Sequence, residues 1–126
     1  VDNAEQVARF LTSSSQFNQT MVKPAAFLPN PHNGETSVFR HSGEPRSELW
    51  EIGRVKLAER TFYGAGIVAT QVVRDAQLEV EAQEPPPRHA NIIDWPINDD
   101  PQLAKAEQKK LAALIAQHAS RVLVDE

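Results

Sequence analysis

The chain has no cysteine and only one methionine, and aromatic residues make up 6% of its 126 positions. The missing cysteine excludes disulfide scaffolds, thiol nucleophiles and thiolate metal sites. No apolar run approaches the ~20 residues that a membrane-spanning helix requires. The first ten residues carry Asp2, Glu5 and Arg9, which does not read as a signal peptide. Together these absences favour a cytoplasmic protein without membrane association. The leading Val1 suits removal of an initiator methionine, and a complete chain is the expectation.

Motifs are scarce too. There is no Gly-x-Ser-x-Gly elbow, no glycine-rich phosphate loop, no His-Glu-x-x-His and no EF-hand loop. Each of these spacings is what its chemistry needs in order to bring ligands or backbone donors together. Neither a metal nor a cofactor is therefore expected.

The net charge is −4, and it is unevenly spread. Seven acids lie between residues 75 and 102 against Arg88 alone. Broad DNA binding relies on neutralising several phosphates, so it is not expected of this chain. A local site for one small anion is compatible with the balance.

The length suits one domain over 1–126, large enough for an ordinary apolar core. Residues 2–11 place Ala4, Val7, Ala8 and Leu11 at helical spacing, with a strand through Val7–Leu11 as the competing reading. Met21–Leu28 and Glu35–His41 read as strands, joined into a hairpin by Pro29–Gly34. Gly43-Glu44-Pro45 opens a helix running to about Arg60, with a stripe of Leu49, Trp50, Ile52, Gly53 and Leu57. Gly53 on that stripe implies close approach to a sheet. Residues 66–73, 78–82 and 89–94 read as extended segments, the first with a short helix as its competitor.

The last helix starts at Pro101, capped by Asp99 or Asp100, and buries Leu103, Ala106, Leu111, Leu114, Ile115, His118 and Val122. The predicted class is α+β: a mainly antiparallel sheet with two longer helices packed on one face.

Chemistry is densest between Pro85 and Pro96, where three prolines lead as polyproline II into Arg88, His89, Ala90, Asn91, Ile92, Ile93, Asp94 and Trp95. In a strand His89, Asn91 and Ile93 share one face and Asp94 lies on the other, so His89 and Asp94 form no relay. His89 is either a general base, or an anion-binding imidazole beside Arg88, or a structural side chain bonded to a backbone carbonyl. Trp95 either stacks on a ligand or covers the core. A second group comprises Thr36, Ser37, Arg40, His41 and Arg46, on a strand and the start of the first long helix that follows it, where free N–H groups favour anions. Its bland counterpart is a solvated cap whose arginines pair with Glu44 or Glu48.

The runs Thr36-Ser37-Val38-Phe39-Arg40, Leu49-Trp50-Glu51-Ile52-Gly53, His89-Ala90-Asn91-Ile92 and Trp95-Pro96 resemble small uncharacterised bacterial proteins encoded on mobile or accessory DNA. That resemblance implies an intracellular bacterial accessory protein and transfers no activity. Two functions compete on the residues. One is a binding module for a protein partner, a second copy of itself (a homodimer), or a small anionic ligand. The alternative is a small phosphodiester- or nucleotide-directed enzyme using His and Arg.

Overall fold

A computed structural model describes residues 1–58 and 60–125. Its framework is a six-stranded sheet built from β1 (Gln6–Leu11), β2 (Thr36–His41), β3 (Gly64–Ala69), β4 (Glu79–Ala82), β5 (His89–Ile93) and β6 (Ser120–Leu123). The spatial order is β4-β5-β2-β1-β3-β6, and every neighbouring pair is antiparallel. Three helices complete it: α1 (Arg46–Lys56), α2 (Thr70–Asp75) and α3 (Pro101–Gln117). The expected α+β class, with a mainly antiparallel sheet, is what the chain adopts.

The placement of the helices differs from the expectation of two helices on one face. The register puts Ala8, Phe39 and Ile67 on one side of the sheet and Val7, Val38, Val68 and Ile92 on the other. The first set packs with Leu49, Trp50 and Ile52 of α1. The second packs with Ala112, Ile115 and Ala116 of α3, together with Val22, Phe27 and Trp95. Both faces of the central strands are apolar, so each needs its own cover. The sheet is sandwiched.

β1 is a strand, and a central one, which settles the ambiguity of its apolar spacing. Met21–Leu28 is not half of a hairpin. It makes one isolated bridge, Phe17 with Val22, and a 3₁₀ turn at Pro24–Ala26 that lies under α3. Thr36 Oγ1 donates to the Phe27 carbonyl at 2.8 Å and ties this segment to the sheet. Residues 66–73 divide between the end of β3 and the start of α2.

Helix α3 begins as its sequence predicts. Pro101 takes the first turn, and Asp100 Oδ1 accepts from the Gln102 N–H at 2.9 Å. Its buried stripe is narrower than expected, because Leu103 and Leu114 are about half exposed. The helix ends at Gln117, His118 is exposed just past it, and Val122 belongs to β6. Helix α1 buries the expected stripe but stops at Lys56. A Cβ on Gly53 would stand 2.6 Å from the Phe62 ring and 3.1 Å from that of Phe10, so the close approach to β1 is real.

Candidate functional site

The proline run is a turn, not an extended lead-in. Gln83 N–H donates to the His89 carbonyl at 2.8 Å and His89 N–H to the Pro86 carbonyl at 3.1 Å, closing a β4–β5 hairpin. That closure delivers His89 to the first position of β5, opposite Phe39 of β2. Its ring packs edge-on to Phe39 with centroids 5.3 Å apart.

Both imidazole nitrogens of His89 are engaged. Nδ1 lies 2.9 Å from the Gln83 carbonyl oxygen and Nε2 lies 2.7 Å from Ser37 Oγ. A carbonyl can only accept, so the neutral ring carries its proton on Nδ1 and presents the Nε2 lone pair to the serine. Ser37 Oγ–H is then the donor. The structural reading of His89, with a backbone carbonyl partner, describes one half of this arrangement; Ser37 is the other.

The other sequence candidates are placed differently. Arg88 pairs with Glu44 and, at 3.2 Å, with Glu48. Arg40 grips Glu5 with two hydrogen bonds of 2.9 and 3.1 Å. His41 is buried, with Nδ1 3.6 Å from Glu44, and Arg46 is exposed on the first turn of α1. Asn91 is buried and donates to the Gln83 side chain. Trp95 is buried in the α3-side core, and its Nε1 has no hydrogen-bond partner among the described residues. Arg40 and Arg88 are therefore neutralised by carboxylates, and Glu44 is shared between Arg88 and His41.

The pKa directions follow that pairing. Burial raises the Glu5 carboxyl, but the hydrogen bonds and charge of Arg40 outweigh it and leave the group below its ordinary value. Glu44 behaves alike: burial is opposed and overcome by Arg88 and by backbone donors. Arg40 and Arg88 are correspondingly raised, first by their hydrogen bonds to Glu5 and to Glu44.

A different set of residues makes the concave cationic site. The β1–β2 pairing ends at Ala8 opposite Phe39, and the Arg9 side chain enters where the two strands part. Arg9 Nη1 donates to the Ser37 carbonyl at 2.9 Å, and Nε donates to the Ala26 carbonyl at 2.8 Å. Both partners are neutral carbonyls. Burial lowers the guanidinium from its ordinary pKa, and the nearby Arg60 charge lowers it further. Arginine nonetheless stays protonated at neutral pH.

Arg9, Lys56 and Arg60 line a cleft of about 300 Å³ with Thr12, Gln16 and Asn30, and Ser37 and Phe39 belong to its wall. No acid is among its described lining residues. Phe39 and Lys56 also line a neighbouring apolar groove of about 310 Å³, with Ile52, Val55, Pro86 and Pro87. The polar cleft and the apolar groove thus share two lining residues, and Glu48 and Glu51 stand at the groove. Among the described residues no group of three or more His, Asp or Glu is placed to hold a metal ion.

Arg9, Lys56 and Arg60 were not candidates on sequence grounds. The available signal was the charge of Arg9 inside an otherwise apolar run, Val7 to Leu11. Compared with protein-family models, with curated proteins and with solved structures, the chain matches none.

Proposed function

We propose that this protein is a small binding module that takes an anionic ligand in the Arg9–Lys56–Arg60 cleft. The supporting observation is Arg9: a partly buried cation held by two neutral carbonyls, beside a second arginine that opposes its charge. A phosphate or carboxylate between the two guanidiniums replaces that repulsion with charge-assisted hydrogen bonds. The two carbonyls engage only part of the Arg9 donor set, so further N–H groups are available.

A concave site favours a small molecule over a protein surface, and a confined cationic site is compatible with a chain of net charge −4. Within this reading the protein is a cytoplasmic accessory module, as its resemblance to proteins of mobile DNA implies. The anion-binding expectation attached to Arg40 and Arg88, which pair with carboxylates, moves to Arg9, Lys56 and Arg60, for which no carboxylate partner is found among the described residues.

Calorimetric titration with inorganic phosphate, pyrophosphate and succinate tests this. Saturable binding of at least one of them, weakened by Arg60→Ala and unaffected by Arg40→Ala, supports the module. No heat of binding from any of the three at millimolar concentration overturns it.

A further inference from the structure

The same cleft contains a nucleophile. We infer that Ser37 and His89 form a nucleophile–base pair that transfers the acyl group of an anionic ester to water. The inference rests on the anion-binding reading for its substrate class, and its chemistry comes from a separate observation. Ser37 Oγ–H points its proton at the His89 Nε2 lone pair across 2.7 Å, and the Gln83 carbonyl holds the imidazole in that tautomer through Nδ1–H at 2.9 Å. That is the arrangement in which a histidine takes a proton from an attacking hydroxyl while a third group orients it. Here the orienting group is a backbone carbonyl.

Location separates this pair from a purely structural one. The β2–β5 ladder already aligns Thr36–Phe39 with Ile92–His89, so the strands are in register without it. Ser37 is only partly buried and reaches the wall of the cationic cleft. Phe39 and Lys56 line both this cleft and the apolar groove of Ile52, Val55 and Pro86. The fitting substrate therefore carries a negative group at one end and an apolar group at the other, joined through an ester.

The chemistry balances with water alone. Ser37 Oγ forms a bond to the ester carbonyl carbon as its proton passes to His89 Nε2. The carbon–oxygen bond to the leaving alcohol breaks, and that oxygen takes the proton from His89. Water then attacks the acyl-serine, gives one proton to His89, and releases the acid as the proton returns to Ser37.

The test uses the 4-nitrophenyl monoester of succinic acid, an anionic aryl ester, and separately an alkyl fluorophosphonate read by intact-protein mass. The wild-type protein is expected to hydrolyse the ester and to gain one phosphonyl adduct on Ser37, with fluoride leaving. Ser37→Ala abolishes both, and His89→Ala slows turnover on the order of 10²-fold. Arg60→Ala raises KM with little change in kcat. Circular dichroism establishes that each variant is folded.

Turnover that survives Ser37→Ala, or neither turnover nor adduct in folded wild type, overturns the inference. Calorimetry with phosphate on Ser37→Ala separates the two ideas. Phosphate binding without turnover in wild type removes the catalytic inference alone. Turnover that depends on Ser37, without anion binding, removes the binding reading alone.

Discussion

Gly53 offers a sharp test of how α1 is seated, and hence of the wall that carries Lys56. Replacing it with alanine adds one methyl group at the point where the helix meets β1. In isolation the change favours the helix by about 1 kcal/mol, because glycine is a poor helix former. The added carbon would lie 2.6 Å from Phe62 Cζ, 2.9 Å from Phe62 Cε2 and 3.1 Å from Phe10 Cε1. Comfortable carbon contacts begin at about 3.5 Å.

Phe62 must therefore swing away, and it is not free to do so without loss. Its ring stands edge-on to Phe10 at 5.3 Å and to Trp50 at 5.7 Å. Overpacking of this kind costs about 1–3 kcal/mol, so it outweighs the helix gain by roughly 1 kcal/mol. The expected result is a lower chemical-denaturation midpoint with an unchanged slope, and a Tm lower by about 4 °C. In a Phe62→Ala background the two tightest contacts are gone, only the Phe10 ring has to give by a few tenths of an ångström, and Gly53→Ala should stabilise by up to about 1 kcal/mol. The double-mutant cycle thus predicts a coupling of about 2 kcal/mol. Gly53→Ala that stabilises the wild-type protein outright would refute this seating of α1.

Three further outcomes follow from specific contacts. Asp100→Ala removes the cap of α3 and should lower stability by about 1 kcal/mol in denaturant titration, while Asp99→Ala should have little effect. Glu5, Glu44 and Glu79 are all held below their ordinary pKa in the fold, Glu79 chiefly by its hydrogen bond from Val80 N–H and then by Arg74. Their stabilisation is therefore complete above the unfolded value of about 4.3 and is lost as the pH falls through their lower folded values. Melting scans across acid pH should show that fall, and Glu5→Gln should make it shallower; onset above about pH 6 would contradict the assignment. Arg40→Ala should cost about 1 kcal/mol through its partly exposed pair with Glu5 and leave ligand affinity intact.

The parts of this fold that were legible in the sequence are those governed by local rules. Asp100-Pro101 carries a cap and a first-turn proline, and Leu49, Trp50, Ile52 and Gly53 mark one face of α1. The alternation of Leu78, Val80 and Ala82 with Glu79 and Glu81 marked an extended segment, and Glu79–Ala82 forms β4 at one end of the sheet. Legibility failed where both faces of an element are covered. Val7, Ala8, Phe10 and Leu11 are all buried in β1, so the period-2 signal that separates a half-buried strand from a helix is absent. The same two-sided burial concealed that α1 and α3 cover opposite faces.

The candidate site was legible only in fragments. His89 stood out for its setting, and its carbonyl partner was anticipated. Ser37 became its second partner through the β2–β5 register, across 52 positions of sequence. The cationic cleft draws on residues from Arg9 to Arg60, and no short motif spans such a set. Conversely, Arg40 and Arg88 looked available because their carboxylate partners, Glu5 and Glu44, lie 35 and 44 positions away.

The most direct measurement is pyrophosphate binding by calorimetry to the wild-type protein, Arg9→Met, Arg60→Ala and Arg40→Ala. Each cleft arginine contributes charge-assisted hydrogen bonds worth about 1.5–3 kcal/mol, so its loss should weaken binding by tenfold or more. Arg40→Ala should bind like wild type. Equal affinity across all four proteins, or stronger loss in Arg40→Ala than in Arg60→Ala, would contradict an anion site at Arg9.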